Sequence, residues 1–255
     1  MDFKITYKIQ TGKNKTVCED AVYNGCQVVT NGCECCCGNT PMVICVADGV
    51  GGNAGGEKAS AFLLSNVGKM MNMVNIEKLQ EELLRINDEL IIYAKGIDGQ
   101  QMMATTFTGI FFLDKKVFLA HCGNTRLYEV KGRFLKQITT DHSTYQWLIS
   151  NGNYDAAENC NKSEILSAFG GGKRNYVERL YVEEIFERAI PSKIVLTSDG
   201  IHDYLNEDEL EDIIMEDDST IAVNKLVDNA VKNGSCDDCT VVVIEKMERT
   251  LNSEV

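Results

Sequence analysis

Residues Pro41 to Gly56 read PMVICVADGVGGNAGG, and the fold is decided where the run Met42 to Ala47 meets Asp48. An almost unbroken apolar run with β-branched residues predicts a buried strand. The chain then passes Gly49, Gly51, Gly52, Gly55 and Gly56 before a helical pattern begins near Glu57. Asp48 therefore stands at a strand end, and the glycines allow tight turns and close approach of backbone to a ligand. The arrangement recurs: KIVLTS (Lys193 to Ser198) runs into Asp199-Gly200, and Asp237-Asp238 directly precedes the apolar run Thr240 to Ile244. Carboxylates at separate strand ends predict one shared site. The loop GKNKTVCED adds an acidic pair, Glu19-Asp20, beside the strand that starts at Ala21.

Outward from this stretch, Phe3 to Gln10 alternates as a half-buried strand and Ala21 to Thr30 offers a second. Helical spacing runs from Glu57 to Met73 and again from Ile76 to Ala94, with Leu79, Leu83, Ile86 and Leu90 on one face. Met70, Met71 and Met73 read as core filling. From Ala104 the period changes to strands, ATTFTGIFFL, VFLAHC, TRLYEV and RFLKQIT, with turns at Asp114-Lys115, Gly123-Asn124 and Lys131-Gly132. Connections this short predict an antiparallel meander. A helix near Ser143 to Ser150, a mobile surface segment to about Tyr176, and the strand ERLYVEEIF follow. The end reads as helices Asn206 to Met215 and Thr220 to Val231, then strand Thr240 to Lys246. Grouped strands and paired helices predict an α+β fold of sheets packed on each other with helices outside, over residues 1–255 as a single domain.

The chain of 255 residues is 44% hydrophobic, so it can bury a sizeable core, and with two prolines it has no evident linker. A net charge of −13 opposes nucleic-acid or anionic-membrane partners, which are themselves polyanions. The start MDFKITYKIQ lacks a signal-peptide core and no stretch has the length of a membrane span, which predicts a cytoplasmic protein whose eleven cysteines are reduced thiols. Cys33, Cys35, Cys36 and Cys37, set between Gly32 and Gly38, read as an exposed turn; the spacing is not that of a structural zinc site, and soft-metal or redox chemistry is the alternative.

Converging carboxylates repel one another and need a cation to stay ionised. Oxygen-only ligands suit Mg²⁺ or Mn²⁺ rather than zinc. Two such ions roughly 3.5–4 Å apart could share a water, lower its pKa and aim the resulting hydroxide at a phosphorus.

The motifs that carry this chemistry resemble those of the PP2C-type metal-dependent protein serine/threonine phosphatases, in order over nearly the whole chain. KTVCEDA resembles the first motif, an arginine followed by an acidic pair, and VADGVGG resembles DGxGG. TTFTGIFF is similar to the small-Thr strand, LAHCGNTRLYEV to the GDSR strand and ITTDHSTYQWLISNG to the DHS segment. LTSDGIHDYL is similar to SDGLxD, and GSCDDCTVVVI to the final DNxT. The resemblance implies a central sandwich of two antiparallel sheets flanked by helix pairs, in which Asp48 bridges both metals with the Gly49 carbonyl beside it. It implies Asp20 on one side, Asp199 and Asp237 on the other, and Glu19 as an outer ligand. Asp48 and Asp199 are the implied catalytic centre, with Lys15 binding phosphate. Asp238 falls at the asparagine of the last motif and is a poorer ligand candidate than Asp237.

Two departures stand out. Lys15 replaces the phosphate-binding arginine, keeping the charge but losing the bidentate fork. Asn124 replaces the aspartate of GDSR, a neutral residue where the family holds a third metal. Val50 stands where eukaryotic members carry a histidine and bacterial ones do not, which implies a bacterial-type member. Of the histidines, His121 reads as core, His142 as a cap positioning the segment Tyr145 to Tyr176 that borders the substrate, and His202 as structural. The expected function is hydrolysis of phosphoserine and phosphothreonine in proteins phosphorylated by a cytosolic kinase. The alternative, favoured by Lys15 and Asn124, is a pseudophosphatase that binds a partner without turnover; a phosphodiesterase or nuclease is opposed by the charge.

Overall fold

The computed structural model describes residues 1–50, 54–70, 76–113 and 116–247. In chain order, its first half comprises strands β1 (Asp2–Gln10), β2 (Ala21–Tyr23), β3 (Val28–Val29), β4 (Gly32–Asn39) and β5 (Met42–Ala47), helices α1 (Gly56–Val67) and α2 (Ile76–Lys95), and strands β6 (Ala104–Thr105), β7 (Phe107–Leu113), β8 (Lys116–Cys122), β9 (Arg126–Lys131) and β10 (Phe134–Gln137). There follow α3 (Thr144–Ser150), α4 (Tyr154–Glu158), β11 (Phe169–Gly170), a 3₁₀ turn Arg174–Val177, β12 (Tyr181–Ile185), β13 (Lys193–Thr197), α5 (Asp199–His202), α6 (Glu207–Ile214), α7 (Ser219–Lys232) and β14 (Cys239–Lys246).

Two six-stranded sheets form, in the orders β10-β9-β13-β14-β1-β4 and β12-β8-β7-β5-β2-β3, with antiparallel pairing throughout. Alternation decides what lies between them. From β1, Phe3, Ile5, Tyr7 and Ile9 point inward to meet Ile44 and Val46 of β5, Ile110 and Phe112 of β7, and Val242 and Ile244 of β14. The opposite faces are covered by helices. Leu63 and Leu64 of α1 and Leu79, Leu83, Ile86 and Leu90 of α2 pack on Val43, Cys45, Phe107 and Phe111. Leu210 and Ile214 of α6 and Val223, Leu226 and Val227 of α7 pack on Val195, Val241 and Val243. Helix pairs thus flank both sheets, as the grouping of elements predicts.

Several local expectations are corrected. The strand expected from Ala21 to Thr30 is broken into β2 and β3 by a turn in which the Asn24 side chain accepts the Cys26 and Gln27 N–H groups at 3.1 and 3.0 Å. The cysteine stretch is not a turn: Gly32–Asn39 is an edge strand paired with β1 along its length, because β1 offers a full row of partners whatever side chains face it. None of the eleven cysteines, these four included, forms a disulfide. α1 ends at Val67, with Gly68 as its C-cap, short of the expected Met73. Met70 is buried, whereas Met71 and Met73, like Gly51, Gly52, Asp114 and Lys115, lie outside the described residues. The expected meander is two hairpins in different sheets: β7 pairs with β8, but the chain crosses at Gly123-Asn124 so that β9 joins β13 and β10. The stretch before Tyr176 is only partly surface. Phe169 is fully buried, edge-on to Phe107 with ring centroids 5.6 Å apart, and β11 pairs with β6.

Candidate functional site

Register gathers the acids at one end of the sandwich. In one sheet Ala21 of β2 faces Ala47 of β5, so Asp20 and Asp48 each lie one residue beyond the same pair. In the other, Thr197 of β13 faces Val241 of β14, and the Ser198 N–H continues the ladder to the Thr240 carbonyl at 3.0 Å. Asp199 follows as the first residue of α5, and Asp237 lies just before β14. The sheets therefore contribute two carboxylates each.

Asp48 is fixed by its backbone. Its N–H donates to the Thr106 hydroxyl at 3.0 Å, and its carbonyl accepts from the Thr106 N–H at 2.8 Å and the Thr105 hydroxyl at 3.0 Å. These threonines belong to the TTFTG motif, and their clasp on Asp48 is a role that periodicity alone does not reveal. Gly49 passes so close to Glu19 and α1 that an added Cβ would lie 2.7 Å from the Gly56 Cα and 2.8 Å from the Glu19 Cβ. That close packing is why the DGxGG glycine must lack a side chain.

Asp20 is fully buried, and neither of its carboxylate oxygens receives a hydrogen bond of normal length. Burial pushes its pKa up to about 7; the nearby Thr240 and Ser198 hydroxyls ease its charge, and the charges of Asp238 and Asp199 add to the rise. Burial likewise raises Asp48 far above the usual carboxylate range, reinforced by the charges of Asp20, Asp199 and Asp237. Asp199 is raised by burial and then by Asp237, against which the Asn124 amide donates to its Oδ2 at 2.9 Å. The Asn124 carbonyl oxygen is also buried without a partner.

Lys15 stands at the outer side of this cluster. Its ammonium donates to Asp237 Oδ1 at 2.5 Å, Asp238 Oδ2 at 3.1 Å and Glu19 Oε2 at 3.2 Å. Burial alone would lower its pKa, but the bonds and charges of Asp237 and Asp238 outweigh it and hold the group well above the ordinary lysine value. Asp238 is braced by backbone, accepting from the Gly12 N–H at 2.7 Å and the Glu19 N–H at 2.8 Å. It acts as a strut between loops.

The histidines take packing roles. His121 is buried, with Nδ1 on the Thr108 hydroxyl at 2.9 Å and Nε2 on the Thr140 carbonyl at 3.2 Å. His142 clamps Gly123 from both sides: its Nδ1 accepts the Gly123 N–H at 3.1 Å, and its own N–H donates to the Gly123 carbonyl at 2.7 Å. That clamp aims the neighbouring Asn124. It is supported by the Arg126 guanidinium, which grips Asp141 through Nε and Nη2 at 3.0 and 2.7 Å. His202 is buried with Nδ1 on the Thr197 hydroxyl at 2.7 Å, and burial keeps it uncharged.

Among the described residues no three carboxylate, imidazole or thiol groups already stand at the spacing of a closed metal clasp. The donor set nevertheless fits a hard cation. Two unpartnered oxygens on Asp20 and one on Asn124 are buried beside carboxylates whose pKa values are raised by burial and then by one another's charge, and an oxygen-rich, sulfur-free and imidazole-free set suits Mg²⁺ or Mn²⁺. Lys15 forms ion pairs with the outer acids Glu19, Asp237 and Asp238.

Comparison with known proteins agrees in fold and sequence. No family model matches the chain. It is 30% identical over 220 residues to the serine/threonine phosphatase Stp of Listeria welshimeri, covering 82% of this chain and 85% of that protein. The crystal structure of the Mycobacterium tuberculosis serine/threonine phosphatase PstP/Ppp superposes with a TM-score of 0.79 at 24% identity, over 97% of this chain and 100% of that one. The PstP catalytic domain in complex with two manganese ions has a TM-score of 0.74 at 22% identity, over 97% and 100% of the chains.

Proposed function

From the premise that this chain belongs to the bacterial PP2C-type protein serine/threonine phosphatases, we propose that it hydrolyses phosphoserine and phosphothreonine in proteins at a centre of two Mg²⁺ or Mn²⁺ ions. The observation that carries the reading is Asp20, an acid buried with both oxygens unpartnered among Asp48, Asp199 and Asp237. Asp48 would hold both ions, with the Gly49 carbonyl beside it and Glu19 acting through water. Asp20 serves one side, and Asp199 and Asp237 the other. When bound, the ions would supply an acidic water and neutralise charge on the phosphoryl group.

The chain's own residues set the geometry. The Thr105-Thr106 clasp fixes Asp48 relative to the sheets, the Asn124 amide holds one Asp199 oxygen, and Lys15 places a partly exposed positive charge on Asp237. Binding of the phosphate falls to Lys15. The substrates are phosphoproteins made by a serine/threonine kinase, and residues 1–255 act as one catalytic domain. The second reading, a partner-binding pseudophosphatase, draws on one observation: all three Lys15 protons are already engaged by carboxylates.

Phosphate release from a phosphothreonine peptide in MnCl₂, MgCl₂ or EDTA separates the two. Release that depends on metal and disappears in Asp48→Asn and Asp199→Asn establishes the enzyme. Bound metal without release by the unmodified chain establishes the pseudophosphatase.

A further inference from the structure

Resting on the two-ion reading above, we propose that Lys15 is an internal counter-cation which a divalent ion must displace from Asp237, and that the displaced ammonium becomes available to the phosphate only then. An ammonium has three protons. Here all three are committed, to Asp237, Asp238 and Glu19 at 2.5, 3.1 and 3.2 Å, so none is left for a phosphate oxygen. A guanidinium, with five donors in a planar fork, could hold a carboxylate and a phosphate together; lysine must choose.

The contested group is Asp237. Asp238 keeps its Gly12 and Glu19 backbone donors whether or not Lys15 stays, and it is almost fully buried. Asp237 also has a backbone donor, the Asp238 N–H at 2.8 Å to the same Oδ1, but its side chain is 46% exposed and that of Lys15 is 29% exposed, so an ion from solvent can reach the pair and the ammonium has room to leave. A divalent ion on Asp237 would sit within a few ångströms of the ammonium, and like charges so close repel. Asp20 and Asp48, on the other ion side, have no lysine or arginine partner among the described residues. Loading is therefore expected to be stepwise, with the Asp237 side filled last and phosphate affinity rising with it.

Titration calorimetry with MnCl₂, on the unmodified chain and on Lys15→Met and Lys15→Gln, tests this without any turnover. The expected result is two ions bound in each protein, one of unchanged affinity and one about tenfold tighter in both variants, the size of removing one partly exposed competing charge. Lys15→Arg restores weak binding at that side. Inorganic phosphate gives the second readout. With Mn²⁺ saturating, Lys15→Gln weakens phosphate binding about tenfold, whereas in EDTA the substitution leaves it unchanged. Equal Mn²⁺ affinities in all four proteins, or a phosphate effect that is the same with and without Mn²⁺, overturn the displacement while leaving the two-ion centre standing. If no protein binds Mn²⁺, the centre itself fails and the displacement with it.

Discussion

Asn124→Asp restores the family's acid at the crossing between β8 and β9, and without metal it should cost stability. The buried Asn124 amide donates to Oδ2 of the half-buried Asp199 at 2.9 Å. Losing a hydrogen bond to a charged group costs about 1.5–3 kcal/mol. Two carboxylate charges at that separation repel by about 6 kcal/mol at an effective dielectric constant of about 20, a ceiling that the new carboxyl escapes by taking a proton. The net expectation is a loss of about 2–4 kcal/mol in EDTA at pH 8, or a fall in Tm on the order of 10 °C for a chain of this length. Raising a folded-state carboxyl pKa stabilises the protonated folded chain at low pH, and that contribution is lost as pH rises through the folded value. The deficit should therefore shrink towards pH 5. Saturating Mn²⁺ should raise the Tm of the variant by more than that of the unmodified chain, because the ion binds only the folded centre and gains an anionic ligand. Thermal melts in EDTA and in Mn²⁺ across pH 5 to 8 measure each step. A variant as stable as the unmodified chain in EDTA at pH 8 would refute the reasoning, since it would mean that the contact between Asn124 and Asp199 does not contribute to stability.

Asp20→Asn isolates the buried acid. With a folded pKa of about 7 against an ordinary 3.8, Asp20 favours the folded chain below pH 3.8 and loses that contribution as pH approaches 7. In EDTA the unmodified chain should lose about 3 kcal/mol relative to the variant between pH 5 and pH 8, read by urea unfolding, while histidine contributions cancel in the difference; parallel pH profiles count against the assignment. Gly200→Ala drives a Cβ into the Asp238 carbonyl beside the site and should cost more than 2 kcal/mol while weakening Mn²⁺ binding, measured by melting and calorimetry. Asn206→Ala removes the capping box of α6, in which Asn206 Oδ1 accepts the Glu209 N–H at 2.9 Å and Glu209 returns to the Asn206 N–H at 3.2 Å. It should cost about 1 kcal/mol and leave Mn²⁺ affinity unchanged, since the helix packs away from the acids.

Much of the fold was legible because its signals are local. Alternation in Phe3 to Gln10, the apolar run Met42 to Ala47 and the spacing of Leu79, Leu83, Ile86 and Leu90 report which face meets a core, and glycine after Asp48 and Asp199 reports where each strand stops. Period and punctuation depend on neighbours a few residues away, so one sequence suffices to read them. Acids at strand ends, and their order along the chain, follow from the same signals.

Partner choice was not legible, because it is settled by register and desolvation across long separations. Gly32–Asn39 carries no strand pattern, yet β1 supplies its hydrogen bonds and makes it one. Nothing in Gly123-Asn124 announces that the chain changes sheets there, and that change is what sets Asn124 against Asp199. Phe169 lies in a polar stretch, but the space beside Phe107 buries it. The sequence by itself determined the strands, their buried faces and the set of acids, since periodicity and glycine placement are written residue by residue. Only the tertiary structure decided that Asp20 is buried without a partner while Lys15 spends all its donors on Asp237, Asp238 and Glu19, because burial and ion pairing exist only once distant loops share one low-dielectric end of the sandwich.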